Sequence, residues 1–228
     1  MPIYQLNEAM AFPRPELADD DGLLAVGGDM SVERVMLAYE HGIFPWYHEE
    51  QPILWWSPPR RMMLYPGKLK VSKSLRRSIK NKGFELRIDF AFYEVIMNCA
   101  QVKRKDQEDT WINQDTIAVF QKLHNLGFAH SFEIWKANEL VGGLYGLSLG
   151  KAFFGESMFS KETDASKAAF YYLHAFIVQQ NFHFVDCQLH NDHLASLGAY
   201  EVPREQYLSE LKSALAYPDI IGKWNQYL

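Results

Sequence analysis

The chain has 228 residues, of which 48% are hydrophobic and 22% are charged, so it can bury one core, or one core and a small satellite domain. Its formal net charge of -5 argues against a protein coated with nucleic-acid-binding surface, because phosphate binding needs a concentrated positive field. The two cysteines, Cys99 and Cys187, are too few for a disulfide framework or a thiolate zinc site. With no apolar run of about 18 to 20 residues, the sequence predicts a soluble cytoplasmic protein without a membrane span.

The N-terminal part is dense in prolines and aromatic residues, which prevent long helices and strands. One helix fits between them, since Ser31 is a suitable N-cap, Ala38 and Tyr39 share one face, and Gly42 ends the pattern. We expect residues 1–62 to form a small N-terminal domain, because the proline-rich stretch ends where regular patterning begins.

A basic run follows at residues 68–82, which carry seven basic side chains and no acidic one. Four of them recur at the spacing of one helix face: Lys73, Arg76, Arg77 and Lys80. Such a run is either a solvated helix face or a patch that contacts phosphates. Because the rest of the chain is acidic, we favour the patch.

Beyond residue 62 the pattern alternates between strands and helices. Helices are predicted at residues 116–126, 165–180 and 207–216, and strands at residues 131–135, 139–149, 151–159 and 182–188. The two central strands, joined at Gly150, should form an antiparallel hairpin. Asp164 or Thr163 should cap the helix that follows. This order predicts an α/β domain with a mixed sheet at residues 63–228.

Two of these strands carry a carboxylate inside an apolar run. Since successive strand residues point to opposite faces, Phe154, Glu156 and Met158 should share one face of the hairpin. Asp186 and Gln188 should likewise share a face of the later strand. A carboxylate in such surroundings is either a core residue with a hydrogen-bond partner or part of a functional site. Because two of them occur on neighbouring elements, we favour a site.

Two local motifs suggest other chemistries that their context disfavours. A Gly-x-Ser-x-Gly motif surrounds Ser148, but the nucleophile of a serine hydrolase needs a strand-to-helix turn, and this serine runs into another strand. His190 and His193 could bind a metal only with a third ligand that local spacing does not supply. Asn191 or Asp192 is better explained as a helix N-cap. We therefore expect no metal site and no nucleotide-binding loop.

A series of short motifs spans nearly the whole chain: Gly27-Gly28-Asp29, Gly42-Ile43-Phe44-Pro45-Trp46, Trp55-Trp56-Ser57-Pro58, Thr110-Trp111-Ile112, Val141-Gly142-Gly143-Leu144-Tyr145-Gly146, Gly155-Glu156-Ser157-Met158-Phe159-Ser160, Ala165-Ser166-Lys167, Asp186-Cys187-Gln188, Asn191-Asp192-His193 and Ala195-Ser196-Leu197-Gly198-Ala199. In type and order they resemble the bacterial leucyl/phenylalanyl-tRNA-protein transferase family. The resemblance implies a small N-terminal domain and a C-terminal domain with the acetyltransferase-like fold of non-ribosomal peptidyltransferases. It also implies that the α-amine of a protein beginning with Arg or Lys attacks the ester of leucyl- or phenylalanyl-tRNA, with methionine as a third candidate, which marks that protein for degradation.

The same resemblance implies roles for four polar residues. Aminolysis of an activated ester needs no metal and no redox cofactor, only a neutral amine in line with the carbonyl and support for the oxyanion. In the family, the residue matching Asp186 polarises the one matching Gln188, which draws a proton from the amine. Because a neutral amide is a weak base, we interpret Gln188 as a positioning acceptor with Asp186 as the charge behind it. Glu156 and Asn191 match positions that contact the reacting groups.

The substrates need binding surfaces as well. An apolar pocket for the amino-acid side chain is expected on the strands around the two carboxylates, although about half of its candidates should be ordinary core. These candidates are Leu144, Phe153, Phe154, Met158 and Val185. By resemblance, Trp46 and Trp111 cradle the terminal adenosine of the tRNA, where stacking contributes about 1 to 3 kcal/mol per base. The basic face of residues 68–82 is the candidate contact for the tRNA backbone.

Two other functions remain open, an acyl-CoA-dependent N-acetyltransferase of the same fold and a non-enzymatic RNA-binding adaptor. The acetyltransferase usually carries a glycine-rich Gln/Arg-x-x-Gly-x-Gly/Ala turn that holds the pyrophosphate of its cofactor, and no such turn follows the hairpin. The adaptor would leave the placement of Glu156 and Asp186 unexplained. We expect the protein to work as a monomer.

Overall fold

A computed structural model describes residues 3–102 and 111–227 of the chain. Thr110 of the Thr110-Trp111-Ile112 motif lies outside the described residues. Within the described ranges, no helix is long and apolar enough to cross a membrane.

The N-terminal part forms a small sheet around one helix. Its elements are β1 (Tyr4–Leu6), β2 (Leu23–Gly27), α1 (Val32–Glu40), β3 (Phe44–Pro45) and β4 (Leu54–Trp56). The strands lie in the order β1-β2-β4-β3, and β1 is parallel to β2. Ser31 caps α1 as predicted, because its side chain accepts a hydrogen bond from the backbone N–H of Arg34 at 3.3 Å. Gly42 follows the helix with φ +73, where an added Cβ would lie 2.6 Å from Leu208.

A second sheet of seven strands is formed by the rest of the described chain. Its strands are β5 (Arg60–Leu64), β6 (Glu85–Ile88), β7 (Ala129–Lys136), β8 (Glu139–Leu149), β9 (Ala152–Ser160), β10 (Phe184–Asp186) and β11 (Tyr200–Pro203). They lie in the order β11-β5-β10-β9-β8-β7-β6. Only the β9–β10 pair is parallel among these strands, so the mixed sheet is confirmed. Strand β5 crosses residue 62, where the sequence patterning changes.

The described residues form six further α-helices: α2 (Lys73–Asn81), α3 (Phe92–Ala100), α4 (Gln114–Asn125), α5 (Ala165–Gln179), α6 (Asp192–Ser196) and α7 (Arg204–Leu215). The three helices predicted from apolar periodicity are confirmed within a few residues at each end. The predicted cap of α5 is wrong. Asp164 has φ +73 and makes no capping bond, because its carboxylate instead accepts from the hydroxyl of Ser78 at 2.7 Å and from Lys167 at 3.4 Å.

The seven-stranded sheet separates two cores. On one face, α1, α3, α4 and α7 pack with residues of both sheets, such as Trp55 and Phe154. On the other face, α5 contributes Phe176 to a core that also contains Phe153 and Trp224. The first core joins the small sheet to the large one, so the two sheets share apolar contacts.

Trp224 ties the C-terminal segment to the second core. Its ring stacks on Phe176 at 4.4 Å and on His130 at 3.6 Å. Its backbone N–H donates to Asp89 Oδ2 at 2.8 Å, and the same oxygen contacts His130 Nδ1 at 2.9 Å. Burial lowers the pKa of His130, although Asp89 opposes that shift. The buried imidazole therefore favours its neutral form.

Candidate active site

Glu156 lies at a β-bulge in the middle of β9. Opposite it, Tyr145 pairs with Ser157 and Gly146 pairs with Gly155, so Glu156 is an extra residue in the ladder. A side chain in place of Gly146 would collide with the carbonyl oxygen of Phe154 at this point. The bulge therefore requires the small residue on the partner strand.

The bulge makes one sequence expectation wrong. Phe154 belongs to the core that contains Tyr39, whereas Met158 packs against the opposite core, across the ladder from Leu144. The extra residue at Glu156 reverses the alternation of side chains, so Phe154 and Met158 lie on opposite faces of the sheet. The prediction from sequence assumes that side chains alternate regularly along an unbroken strand, so it could not include the change of face at the bulge.

The carboxylate of Glu156 is held by two donors. Its Oε1 accepts from the hydroxyl of Tyr39 at 2.7 Å and from the side-chain amide of Gln188 at 2.9 Å. The residue is only 9% exposed. Burial raises the pKa of Glu156 from its ordinary value of 4.5 to about 8, against the opposing effect of these hydrogen bonds. Glu156 is thus a buried carboxyl group that can change its protonation state near neutral pH.

The carboxylate of Asp186 is in a different state, because it is paired with a buried cation. Arg61 on β5 donates from Nε at 2.8 Å to Oδ1 and from Nη2 at 2.7 Å to Oδ2. The hydroxyl of Tyr207 donates to Oδ2 at 2.8 Å. The guanidinium lies between the rings of Phe44 and Tyr207, at 4.6 and 4.5 Å from their centroids. Although burial opposes its charge, Asp186 raises the pKa of Arg61 above the ordinary value.

Gln188 connects the two carboxylates through different atoms. Strand β10 ends at Asp186, two residues earlier than predicted, and Gln188 has a left-handed φ of +60. Its backbone N–H donates to Asp186 Oδ1 at 2.8 Å, while its side chain reaches Glu156. The contact expected between Asp186 and the side-chain amide is therefore made through the backbone.

These residues lie beside an open cavity of about 580 Å³. Its wall includes Glu156, Gln188 and Asn191 among the predicted polar residues, and Leu144, Met158 and Val185 among the predicted pocket residues, together with Trp46 and Trp111. Phe170 and Leu173 of α5 add to the apolar part of the wall.

Two of the five predicted pocket residues do not line this cavity. Phe153 lies in the second core against Phe132 and Trp224, with centroid distances of 6.4 and 6.1 Å. Phe154 packs edge-on against Tyr39 at 5.2 Å. Both side chains are fully buried, so they support the site from behind the wall.

Ser148 and Asn191 lie in the elements that the sequence predicted for them. Ser148 is buried in the middle of the hairpin and follows no strand-to-helix turn. Asn191 caps α6, since its side chain accepts from the backbone N–H of Leu194 at 3.1 Å. His190 and His193 reach the cavity wall, but the described residues contain no group of three or more potential ligands that could hold a metal.

The basic run forms α2 on the outside of the molecule. Lys73, Arg76, Arg77 and Lys80 are exposed, and in the described part of the chain none of them forms a salt bridge. Leu75 on the opposite face is buried. The four cations are therefore available to a partner in solution.

Sequence reasoning missed three of the residues that donate hydrogen bonds to the two carboxylates. Arg61 and Tyr207 bind Asp186, and Tyr39 binds Glu156. Tyr39 was recognised only as part of the apolar face of α1. The one available signal was Arg61 itself, which directly precedes an apolar strand segment. A cation at such a position needs a buried partner.

The cavity places an apolar pocket beside a buried carboxylate and a primary amide. The pocket can hold an apolar side chain, and the carboxylate can accept a proton from an amine. Trp46 and Trp111 offer aromatic faces on the same wall. The fold and site together therefore fit an enzyme that transfers an acyl group to an amine.

Comparison with known proteins identifies the family. The model of the leucyl/phenylalanyl-tRNA protein transferase family matches residues 63–212, and the model of its N-terminal domain matches residues 28–59. The leucyl/phenylalanyl-tRNA–protein transferase of Desulfatibacillum aliphaticivorans is 50% identical, covering 99% of this chain and 97% of the relative. That of Thermodesulfovibrio yellowstonii is 48% identical, covering 99% and 92%. The chain belongs to the leucyl/phenylalanyl-tRNA protein transferase family, whose members transfer amino acids from tRNA to the N-termini of proteins.

Solved structures give weaker similarities. An aminoglycoside acetyltransferase from an uncultured soil metagenomic sample is 16% identical, covers 50% of this chain and 84% of its own, and has a TM-score of 0.39. A GCN5-related N-acetyltransferase from Kribbella flavida is 12% identical, covers 74% and 59%, and has a TM-score of 0.38.

Proposed function

We propose that this protein transfers leucine or phenylalanine from its tRNA to proteins that begin with Arg or Lys, and so marks them for degradation. The observation that carries the proposal is the cavity, where an apolar wall adjoins the Glu156–Gln188 pair. An aminoacyl ester bound there would have its side chain in the apolar part and its carbonyl near the polar part. Reaction would then require the acceptor amine to occupy the remaining space beside the carbonyl.

The apolar part of the cavity would select the amino acid by shape and desolvation. Leu144, Met158 and Val185 line it with Phe170 and Leu173. A flexible thioether adapts to either a branched or a flat side chain, so we assign Met158 the main part in accepting both leucine and phenylalanine. Methionine, a third unbranched apolar side chain, is a candidate for the same pocket.

The terminal adenosine of the tRNA would bind at the two tryptophans on the wall. Trp111 is nearly buried, and Trp46 is partly buried and packs edge-on against Trp56 at 5.8 Å. A base stacked on such a face gains about 1 to 3 kcal/mol. The exposed cations of α2 (Lys73, Arg76, Arg77 and Lys80) would contact the tRNA backbone, where they would release counterions.

Three polar residues would position the reacting groups. We assign Gln188 the role of a positioning acceptor, because its amide nitrogen binds Glu156 and none of the described residues donates to its side-chain oxygen. Asp186 would fix the turn that carries Gln188, through the backbone hydrogen bond. Asn191, at the start of α6 on the cavity wall, would contact the ester or the amine.

The chain organisation and setting are part of the same proposal. Residues 1–62 and 63–228 would form the N-terminal and catalytic parts, which the matched ranges 28–59 and 63–212 support. Charged tRNA and its acceptors are cytoplasmic substrates, so we place the protein in the cytoplasm. We propose that it acts as a monomer without a cofactor, since one chain supplies every residue assigned above.

The test is transfer of label in a purified system. The pure protein is incubated with radiolabelled leucyl-tRNA and a peptide that begins with Arg, and label is expected on the peptide. A peptide of the same sequence with an acetylated N-terminus should stay unlabelled, as should one with Asp in place of the first Arg. Transfer from labelled acetyl-CoA with none from leucyl- or phenylalanyl-tRNA would overturn the proposal and favour an acetyltransferase.

A further inference from the structure

The two carboxylates of the site differ in how many of their oxygens accept hydrogen bonds. Asp186 is fully buried, and both of its oxygens accept hydrogen bonds. Its donors are two nitrogens of Arg61, the hydroxyl of Tyr207 and the backbone of Gln188. A carboxylate that is paired with a guanidinium and has no exposed surface is closed to direct contact with a substrate.

The hydrogen bonds that Glu156 accepts from described residues all end on one of its two carboxylate oxygens. Tyr39 and Gln188 both donate to Oε1, and in the described part of the chain no residue donates to Oε2. The residue also forms part of the cavity wall, which Asp186 does not. One oxygen of Glu156 is therefore fixed while the other remains able to accept a proton.

We propose that Glu156 is the base that takes the proton from the acceptor α-amine, while Arg61 restricts Asp186 to a positioning role. The proposal rests on the proposed transfer reaction. Glu156 removes one proton from the α-ammonium group, and the free amine attacks the ester carbonyl. The new C–N bond forms, the C–O bond to the terminal ribose breaks, and the second proton of the nitrogen goes to the ribose oxygen. Glu156 then returns its proton to water, so that the products are an amide and a free tRNA hydroxyl.

The ionisation behaviour of Glu156 fits this role. Burial raises its pKa to about 8, and an α-amino group has an ordinary pKa of about 7.7 to 8.0. A base is most effective when its pKa lies near that of the group it deprotonates and near the working pH. The titratable groups around it are Tyr39 of α1, Arg61 of β5, Tyr145 of β8, Asp186 of β10, and Cys187, His190 and His193 on the cavity wall.

A pair of matched variants separates the two carboxylates. Tyr39→Phe removes one buried hydroxyl that donates to Glu156, and Tyr207→Phe removes one that donates to Asp186. Single-turnover transfer is measured from pH 6 to 9 with one acceptor peptide, whose amine titrates identically in every reaction. Because the hydrogen bond from Tyr39 lowers the pKa of Glu156, Tyr39→Phe should move the midpoint of the pH profile upwards. Tyr207→Phe should leave the midpoint in place, and the opposite pattern would overturn the proposal.

Replacement of the base itself gives the size of its effect. Glu156→Gln keeps the shape and an oxygen acceptor for Tyr39 and Gln188, and should lower kcat about 100- to 10,000-fold with KM for the aminoacyl-tRNA unchanged. Wild-type kcat in this variant, with its fold checked by circular dichroism, would contradict a base at this position.

A measurement without turnover distinguishes this inference from the transfer reaction. Carbon-13 NMR of protein labelled at glutamate carboxyl groups should show one resonance that titrates near pH 8. This resonance should disappear in Glu156→Gln, and its titration midpoint should rise in Tyr39→Phe. If the wild-type protein transfers no amino acid, the proposed function fails while this titration still reports on Glu156. A Glu156 resonance that titrates near 4.5 would overturn the role of Glu156 as the base.

Discussion

Asp186→Asn is expected to destabilise the protein severely, although the two side chains have nearly the same shape. From the sequence, this substitution should reduce turnover and keep the fold. The structure shows that it would leave Arg61, which is 1% exposed, as a buried cation without a counter-charge. Removing one partner of a buried ion pair costs about 3 to 5 kcal/mol. Since a domain has about 5 to 15 kcal/mol of stability in total, the change would remove a large part of it.

Urea unfolding at pH 7, followed by tryptophan fluorescence, measures this loss directly. Arg61→Met should cost a similar amount, because it leaves Asp186 buried and unpaired. The double variant Arg61→Met with Asp186→Leu should recover at least half of the combined loss, since an apolar pair of similar volume avoids the desolvation of both charges. A loss below about 1 kcal/mol in Asp186→Asn would refute the reasoning, because a buried and paired guanidinium could not lose its counter-charge so cheaply.

The remaining predictions concern the pocket, the basic helix and the C-terminal segment. Met158→Ala should reduce transfer of leucine more than that of phenylalanine, because the smaller leucine side chain fills the enlarged pocket less well. Competitive transfer from the two charged tRNAs should show a preference shifted by about 1 to 3 kcal/mol. An unchanged product ratio would place Met158 outside the pocket. Replacing Arg76, Arg77 and Lys80 with Ala should weaken binding of charged tRNA and reduce its salt slope by about one per lost phosphate contact, whereas an unchanged slope would make α2 a solvated face. The folded protein depresses the pKa of His130 below its ordinary value of 6.5, so this residue's contribution to stability is complete above pH 6.5 and is lost as the pH falls. Melting temperatures of His130→Gln should therefore fall less steeply on acidification than those of the wild type, and parallel curves would contradict this.

Local sequence signals predicted the elements that depend on neighbouring residues. The hairpin strand at residues 139–149 has the predicted bounds, because its length, its aromatic content and Gly150 mark it within one stretch of chain. The cap at Ser31 and the end of α1 at Glu40, just before Gly42, follow from chemistry within one helical turn. The order of strands and helices then implied a mixed sheet.

Contacts between distant residues could not be predicted in this way. Tyr39 and Glu156 are 117 positions apart, and Arg61 and Asp186 are 125 positions apart. The short strands at the sheet edge, such as β11 with four residues, carry too few residues for a periodic signal. The β-bulge at Glu156 arises from the pairing with Gly146, so it changes which side chains share a face without changing the apolar pattern of β9.

The candidate site depends on the N-terminal part of the chain as much as on the large sheet. Tyr39 supplies a donor to Glu156, Phe44 covers the guanidinium of Arg61, and Trp46 lines the cavity. All of these residues precede residue 63, yet the carboxylates that they serve lie beyond residue 150. A small N-terminal region that only supported the fold would not need to place a hydroxyl and a cation beside two buried carboxylates. Residues 1–62 therefore complete the candidate site, since they supply the cation that pairs with Asp186 and the hydroxyl that donates to Glu156.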